Sequence, residues 1–514
     1  MDVIKDLVWV LEGIRPSRID IIGQDNSKSN YNQVYHLVKS GKLKSDEEAA
    51  EWLFQSHPGD QRYRTFKSTF KDKLSNLLFF VDEKRSDLTD LQKAAISCRK
   101  KWMAISILSA RNAGNSACTL AVQLLRDTTS FEFTEISLDL IALLKYQAVL
   151  QGDQKAFQKY QTSLHELQAV RNAELQMRDL YEQIAIQVSQ SLAYHPEYLD
   201  LTNSVLKEST PILEQFDTYQ IHLFGRLIEI EHYWLARDFD KLLQTCDKAL
   251  AFFNLKPYDT NGAQSIFLHQ KLICHIHKKE LEAGKAAFNN SLLLLKDGSL
   301  NWFVAQELGI LLHFHLHAYQ DAWTIYSNGT AHKRFKMLPD TRQESWRLFE
   351  AYFYFLSLVG QFDDPDKVHH FKLARFINQM PGYSKDKQGA NVAILIVQIL
   401  ILTAKQQYNE VIDRIEAIQM YHYRHLHSKD VNYRTSLFLK MLLLLPKESF
   451  HPAAVSRKGE VLFKKLKAAG ATFAKQPYLT EVIPFEEMWE YIINSLHSGK
   501  LAKRKATLAV NRKK

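Results

Sequence analysis

Apolar residues recur along this chain at helical spacing from end to end, and strict two-residue alternation is scarce. Between Tyr63 and Phe80, for example, Phe66, Phe70, Leu74, Leu77 and Leu78 fall on one face with charged residues between them. Only Ser17 to Ile22 reads as a strand, and one strand cannot build a sheet. Helix starts are marked by Ser45 ahead of Glu48 and by Thr89 ahead of Gln92, capping-box spacings in which each side chain satisfies a free backbone donor. Pro196 and Pro211 suit first-turn positions, where a missing N–H removes no bond. The pattern predicts an all-α chain.

Repetition sharpens this expectation. Short turns precede Phe239, Leu281, Tyr319, Phe362 and Tyr408, which stand 42, 38, 43 and 46 residues apart. Seven residues beyond the first three anchors come Cys246, Phe288 and Tyr326, and ten beyond come the small residues Ala249, Ser291 and Gly329. Similar turns stand at Gly152 to Phe157, near Asn115 and near Pro452. A helical hairpin cannot bury its apolar face alone, so hairpins repeating about every forty residues must stack on one another. The run from Asp238-Phe239-Asp240-Lys241 through Lys248-Ala249-Leu250 resembles the second helix of a tetratricopeptide repeat, as do Tyr319-Gln320-Asp321-Ala322-Trp323 and Tyr408-Asn409-Glu410-Val411. The resemblance covers about residues 115 to 470. It implies an α-solenoid of stacked antiparallel hairpins, with helices longer than in the strict repeat of ~34 residues.

The expected organisation is a helical bundle or cap over 1–112, the repeat array over 113–470, a capping helix within 471–497 and a disordered basic tail over 498–514. Loops are expected at Pro257 to Gly262 and at Pro381 to Gly389.

Composition agrees. At 514 residues the chain exceeds the roughly 250 to 300 at which one compact core stops growing. Apolar residues make up 46% and charged residues 24%, which suits a folded chain rather than a disordered one. Only 18 glycines occur, favouring helices joined by short turns. Cys98, Cys118, Cys246 and Cys274 are too scattered for a disulfide framework or a zinc site and read as buried apolar residues in a reducing compartment. The most apolar windows, Val392 to Leu402 and Ser436 to Leu445, are shorter than the ~20 residues that cross a bilayer. The N-terminal residues do not form a secretory leader, so the expected location is cytoplasmic.

The net charge of +9 is concentrated at one end. Lys500, Lys503, Arg504, Lys505, Arg512, Lys513 and Lys514 supply +7 of it without an acid among residues 498–514. A milder excess lies between Gln61 and Lys101, where eleven Lys or Arg face five Asp or Glu, and its Arg99, Lys100 and Lys101 give a second candidate contact for an anion or a partner.

Catalytic patterns are sparse. Gly23 to Ser29 ends like a phosphate loop but lacks its second glycine, and no GxGxxG, GxSxG or HExxH run occurs. His313 and His317, four apart on a predicted helix, could present two imidazoles to a metal, yet no carboxylate lies between them. The cluster Tyr421 to His427 complements a helix dipole, and Tyr352 to Phe355 reads as a buried helix. No catalytic, cofactor or metal residue is assigned. The expected function is a non-catalytic scaffold or adaptor that binds a protein or peptide along the repeats. The alternatives are a nucleic-acid-associated regulator using Arg99, Lys100, Lys101 and the tail, and a ligand- or peptide-sensing regulator. Nucleic acid is the less favoured partner, no membrane span is expected, and the oligomeric state is left open.

Overall fold

Local chemistry sets the helix starts as the spacing predicts. Thr89 completes a capping box with Gln92, its hydroxyl accepting from Gln92 N at 3.2 Å while Gln92 Oε1 accepts from Thr89 N at 2.9 Å. Ser45 accepts from Glu48 N at 3.2 Å, but the Glu48 carboxylate takes the N–H of Lys44 instead, so the box is displaced by one residue. Pro196 opens its helix, whereas Pro211 lies in the interior of the same helix, where it deletes one backbone bond. Tertiary burial carries the helix past it.

The computed structural model describes residues 1–11, 29–80, 88–190, 196–362, 368, 370–378, 380, 390–425, 433–469 and 481–497. The strand-like Ser17 to Ile22, most of the phosphate-loop-like segment, Pro381 to Gly389 and the 498–514 tail fall outside these. All regular structure among the described residues is helical. No helix of the described residues is long and apolar enough to cross a membrane.

The chain divides into two compact units, Met1–Leu167 and Gln168–Lys514. In the first, α1 (Asp2–Leu11), α2 (Asn30–Lys39), α3 (Asp46–Phe54) and α4 (Gln61–Leu77) bury Val8, Leu11, Tyr35, Phe70 and Leu74 in one core. Asp46 braces it, accepting from Tyr63 Oη at 2.6 Å and pairing with Lys67 at 2.8 Å. Next come α5 (Asp90–Ala110), α6 (Gly114–Ser130) and α7 (Thr134–Gln151), sharing a core of Cys98, Ile105, Leu124 and Leu140. The boundary between the units falls within the 37-residue α8 (Gln154–Gln190).

The second unit continues with α9 (Pro196–Gln215), α10 (Tyr219–Ala236), α11 (Phe239–Asn254), α12 (Asn261–His277), α13 (Leu281–Leu294), α14 (Leu300–His315) and α15 (Tyr319–Ala331). It ends with α16 (Asp340–Leu358), α17 (Leu373–Asn378), α18 (Ala390–Ala404), α19 (Tyr408–His425), α20 (Tyr433–Leu442), α21 (Leu444–Lys447), α22 (Pro452–Ala468) and α23 (485–497). Most helices pack on their sequence neighbours, and α12 on α14, α16 on α18 and α20 on α22 also pack one helix further on. This arrangement is compatible with a helical solenoid. The apolar windows Val392 to Leu402 and Ser436 to Leu445 lie largely buried in its principal core.

One turn is used again and again. Asn112, Glu132, Gly152, Arg237, Lys279, His317, Gly360, Gln406 and Ser449 each have positive φ at the end of a helix. In every case the next residue donates its N–H to the carbonyl five positions back, at 2.8 to 3.0 Å. This is the Schellman closure, which satisfies carbonyls that a helix end leaves open. Phe239, Leu281, Tyr319, Phe362 and Tyr408 each stand two residues past such a turn. Tyr319 and Phe362 are buried, whereas Phe239, Leu281 and Tyr408 are partly buried against neighbouring helices.

The small positions are close-packed. Cys246, Ala249 and Ser291 are fully buried, and Phe288 closely fills the space over Gly309, where a Cβ would stand 2.5 Å from its ring. Tyr326 stacks against Trp323, and a Cβ on Gly329 would stand 2.1 Å from the Trp346 ring. Only glycine lets α15 come this near α16.

Hydrogen bonds join α10, α12, α14 and α16 in steps of one hairpin. Trp234 Nε1 donates to Gln270 Oε1 at 2.8 Å, and Asn301 Nδ2 to Ser265 Oγ at 3.1 Å. Arg342 Nη1 and Trp346 Nε1 then donate to the two Glu307 oxygens at 2.7 and 2.9 Å. Glu307 is fully buried; burial pushes its carboxyl above the usual range while Arg342 and Trp346 pull it back.

Candidate functional site

Polar chemistry in the second unit gathers where α23 meets the α14–α15 turn and α20. The sequence 481–497 explains the docking: Phe485, Met488, Trp489, Ile492 and Leu496 are buried at the i, i+3, i+4, i+7 and i+11 spacing of one helix face. Phe485 stacks on Phe438 of α20 with ring centroids 4.4 Å apart, and Trp489 covers Gly459 of α22. Each such burial is worth about 1.5–3 kcal/mol, so the helix is firmly seated.

At its N-terminal end stands Arg434, 3% exposed. Its Nε donates to Glu481 at 3.2 Å and its Nη2 to Glu486 at 2.7 Å, with a second, close contact from Nη2 to Glu481. Nη1 donates to Glu486 at 3.0 Å and to the carbonyls of Leu466 and Ala469 at 2.8 and 2.9 Å. One guanidinium thus ties α20, the end of α22 and the start of α23. Burial works against its charge, but the two carboxylates win and raise its pKa. Glu486 is held below the usual range, because Arg434 outweighs the burial that acts to raise it.

One turn of helix further on is a second cluster. Tyr491 Oη lies 2.9 Å from Tyr319 Oη, and His317 Nδ1 lies 3.4 Å from that same Tyr319 oxygen. His317 Nδ1 is also 3.5 Å from Glu487 Oε2, an oxygen shut away from solvent that no hydrogen bond satisfies among the described residues. Burial first, and then the charges of Glu486 and Glu490, push the Glu487 carboxyl up to about 7. His315 lies beside the backbone of Glu481, and burial takes its imidazole down to about 4. A carboxyl titrating near neutrality can hold or release a proton at physiological pH.

His313 and His317 do not form a pair on one helix. The helix ends at His315, and His317 occupies the left-handed turn, while His313 Nδ1 is 2.7 Å from the Gly309 carbonyl. The described residues contain no group of three or more metal-ligating side chains. Ser291, expected only as a small packing residue, also meets His269 Nε2 at 3.0 Å; both are buried, and burial lowers His269 to about 4. Such a pair joins α12 to α13. Of the cysteines, Cys98, Cys246 and Cys274 are buried and Cys118 is half-buried; burial pushes the Cys274 thiol up to about 12.

The basic positions are separate features. Arg99 is exposed on α5, Lys100 is half-buried there, and Lys101 pairs with Asp127 of α6 at 2.9 Å. Lys503, Arg504, Lys505, Arg512, Lys513 and Lys514 lie outside the described residues, as do the side chains of Tyr421 to His427. Comparison with protein-family models, with curated proteins and with solved structures finds nothing that matches this chain.

Proposed function

We propose that the chain is a non-catalytic scaffold of the tetratricopeptide-like kind, a solenoid with a period of about forty residues that holds a partner protein or peptide along the first helices of its hairpins. It works in the cytoplasm, where buried thiols such as Cys246 and Cys274 stay reduced. The observation that supports the reading is the Schellman turn closing a helix at 237, 279, 317, 360 and 406, each two residues ahead of one of the sequence anchors, with the same turn also at 112, 132, 152 and 449. The bonds linking α10, α12, α14 and α16 support it, because they hold one helix of each hairpin in register with the next. The docked α23 supplies an internal example of the ligand class: an amphipathic helix that sets apolar anchors against α20 and α22.

The test is affinity capture by the full chain from its native cell, followed by mass spectrometry. A defined protein retained at high salt is the expected result. Retention no greater than that of an unrelated helical protein removes the proposal.

A second reading, a nucleic-acid-associated regulator, draws on α22. Arg457, Lys458, Lys464 and Lys465 are exposed at spacings that share one face, with Glu460 paired to Lys464 at 2.7 Å. If this face and the tail hold a polynucleotide, binding falls steeply as salt rises, because contact with phosphates releases counterions. Salt-insensitive retention, or none, decides against it.

A further inference from the structure

Glu487 sits where α23 closes over the α14–α15 turn, and its surroundings can be read group by group. On its own helix are Glu486 and Glu490, and just before the helix is Glu481. From the α14–α15 turn come His317 and Tyr319, from the α12–α13 turn Lys279, and from α20 Arg434, which is already committed to Glu481 and Glu486. Tyr491 spends its hydroxyl on Tyr319. The shielded Glu487 oxygen therefore faces three carboxylates, the largely exposed imidazole of His317 and the more distant charge of Lys279, with no hydrogen bond satisfying it among the described residues.

We propose that the contact between Glu487 and His317 is a proton-operated latch, which holds α23 against the α14–α15 turn when the pair carries a shared proton and loosens it when the proton leaves. The proton that matters lies between the Glu487 carboxyl and the His317 ring nitrogen, and the two groups share it as a pair. With it the pair carries zero net charge. Loss of the proton leaves one extra negative charge, partly desolvated, among Glu481, Glu486 and Glu490, which the charge of Lys279 offsets only in part. The sign follows. Glu487 is raised from 4.5 to about 7 in the docked state, so its contribution to docking is complete below about pH 4.5 and is lost as pH rises through about 7. The apolar anchors of α23 are indifferent to pH, so the latch tunes a helix that stays docked at most times. It stands apart from the scaffold reading, since it concerns the chain's contact with itself.

Hydrogen exchange measured by mass spectrometry on the full chain tests it, with rates corrected for the intrinsic pH dependence. Between about pH 5 and about pH 8, protection of the 485–497 peptide is expected to drop at least about tenfold, while peptides from the core helix α16 change far less. In Glu487→Gln, which keeps the shape and removes the charge, the drop is expected to disappear and protection at about pH 8 to match the lower-pH value. A wild-type 485–497 peptide whose protection does not change with pH overturns the proposal, and so does an unchanged drop in the glutamine variant. Should that variant unfold by circular dichroism, the wild-type comparison alone still decides.

Discussion

Replacing Arg434 by alanine is expected to destabilise the second unit by about 3–5 kcal/mol, since it strands the buried Glu481 and the half-buried Glu486 without their cation. Two backbone carbonyls, of Leu466 and Ala469, lose their donor at the same time. Lysine does not repair the site, because a single ammonium cannot address two carboxylates and two carbonyls from one plane. The combination Arg434→Met, Glu481→Gln and Glu486→Gln is expected to recover a large part of the loss, since it removes the charges together. Urea unfolding followed by tryptophan emission reads the effect, Trp489 being 3% exposed beside the cluster. An unfolding free energy for Arg434→Ala within about 1 kcal/mol of wild type contradicts this account of the site.

Trp346→Ala is the second large loss, about 3–5 kcal/mol, from the cavity it opens in the core. The ring has no exposure and meets Phe303, Phe335 and Tyr326 at centroid separations of 6.0, 5.5 and 5.9 Å. Its Nε1 is also one of the two donors to the buried Glu307. Trp346→Phe separates these effects: most of the volume is kept, the donor is lost, and a cost of about 1–3 kcal/mol is expected. Equal unfolding midpoints for the phenylalanine and wild-type chains, measured in urea, show that the bond to Glu307 contributes nothing.

What could be read in the sequence was whatever short-range pattern encodes. The all-helical class, the turns before Phe239, Leu281, Tyr319, Phe362 and Tyr408, and the close approach at Gly329 all leave marks within a few dozen residues. Glycine, the usual sign of a left-handed turn, was of little help. Seven of the nine turn residues carry side chains, Arg237, Lys279 and His317 among them, so the geometry is imposed by packing of the flanking helices rather than by a permissive residue. The same turn separates His317 from His313, since the helix ends before the second imidazole.

Pro211 escaped for the opposite reason. Tertiary contacts of α9 carry a helix through a residue that favours its beginning. The polar clusters around α23 had no local signature at all. Arg434 meets Glu481 across 47 residues, and Tyr319 meets Tyr491 across 172. A lone arginine among the apolar residues of Tyr433 to Leu442 was the single hint available: a buried cation requires buried acids somewhere. Nothing in the order of residues says where.

The separation of Arg434 from its acids also bears on how the chain is made. Synthesis delivers α20 and α22 well before Glu481 and Glu486, so for the intervening interval the guanidinium has neither carboxylate to neutralise it. These helices cannot reach their final burial while the Arg434 guanidinium still needs water. The last part of the second unit therefore settles only after residue 486 has emerged, and a nascent chain stalled between 434 and 481 would be an incompletely folded species and a ready client for a chaperone.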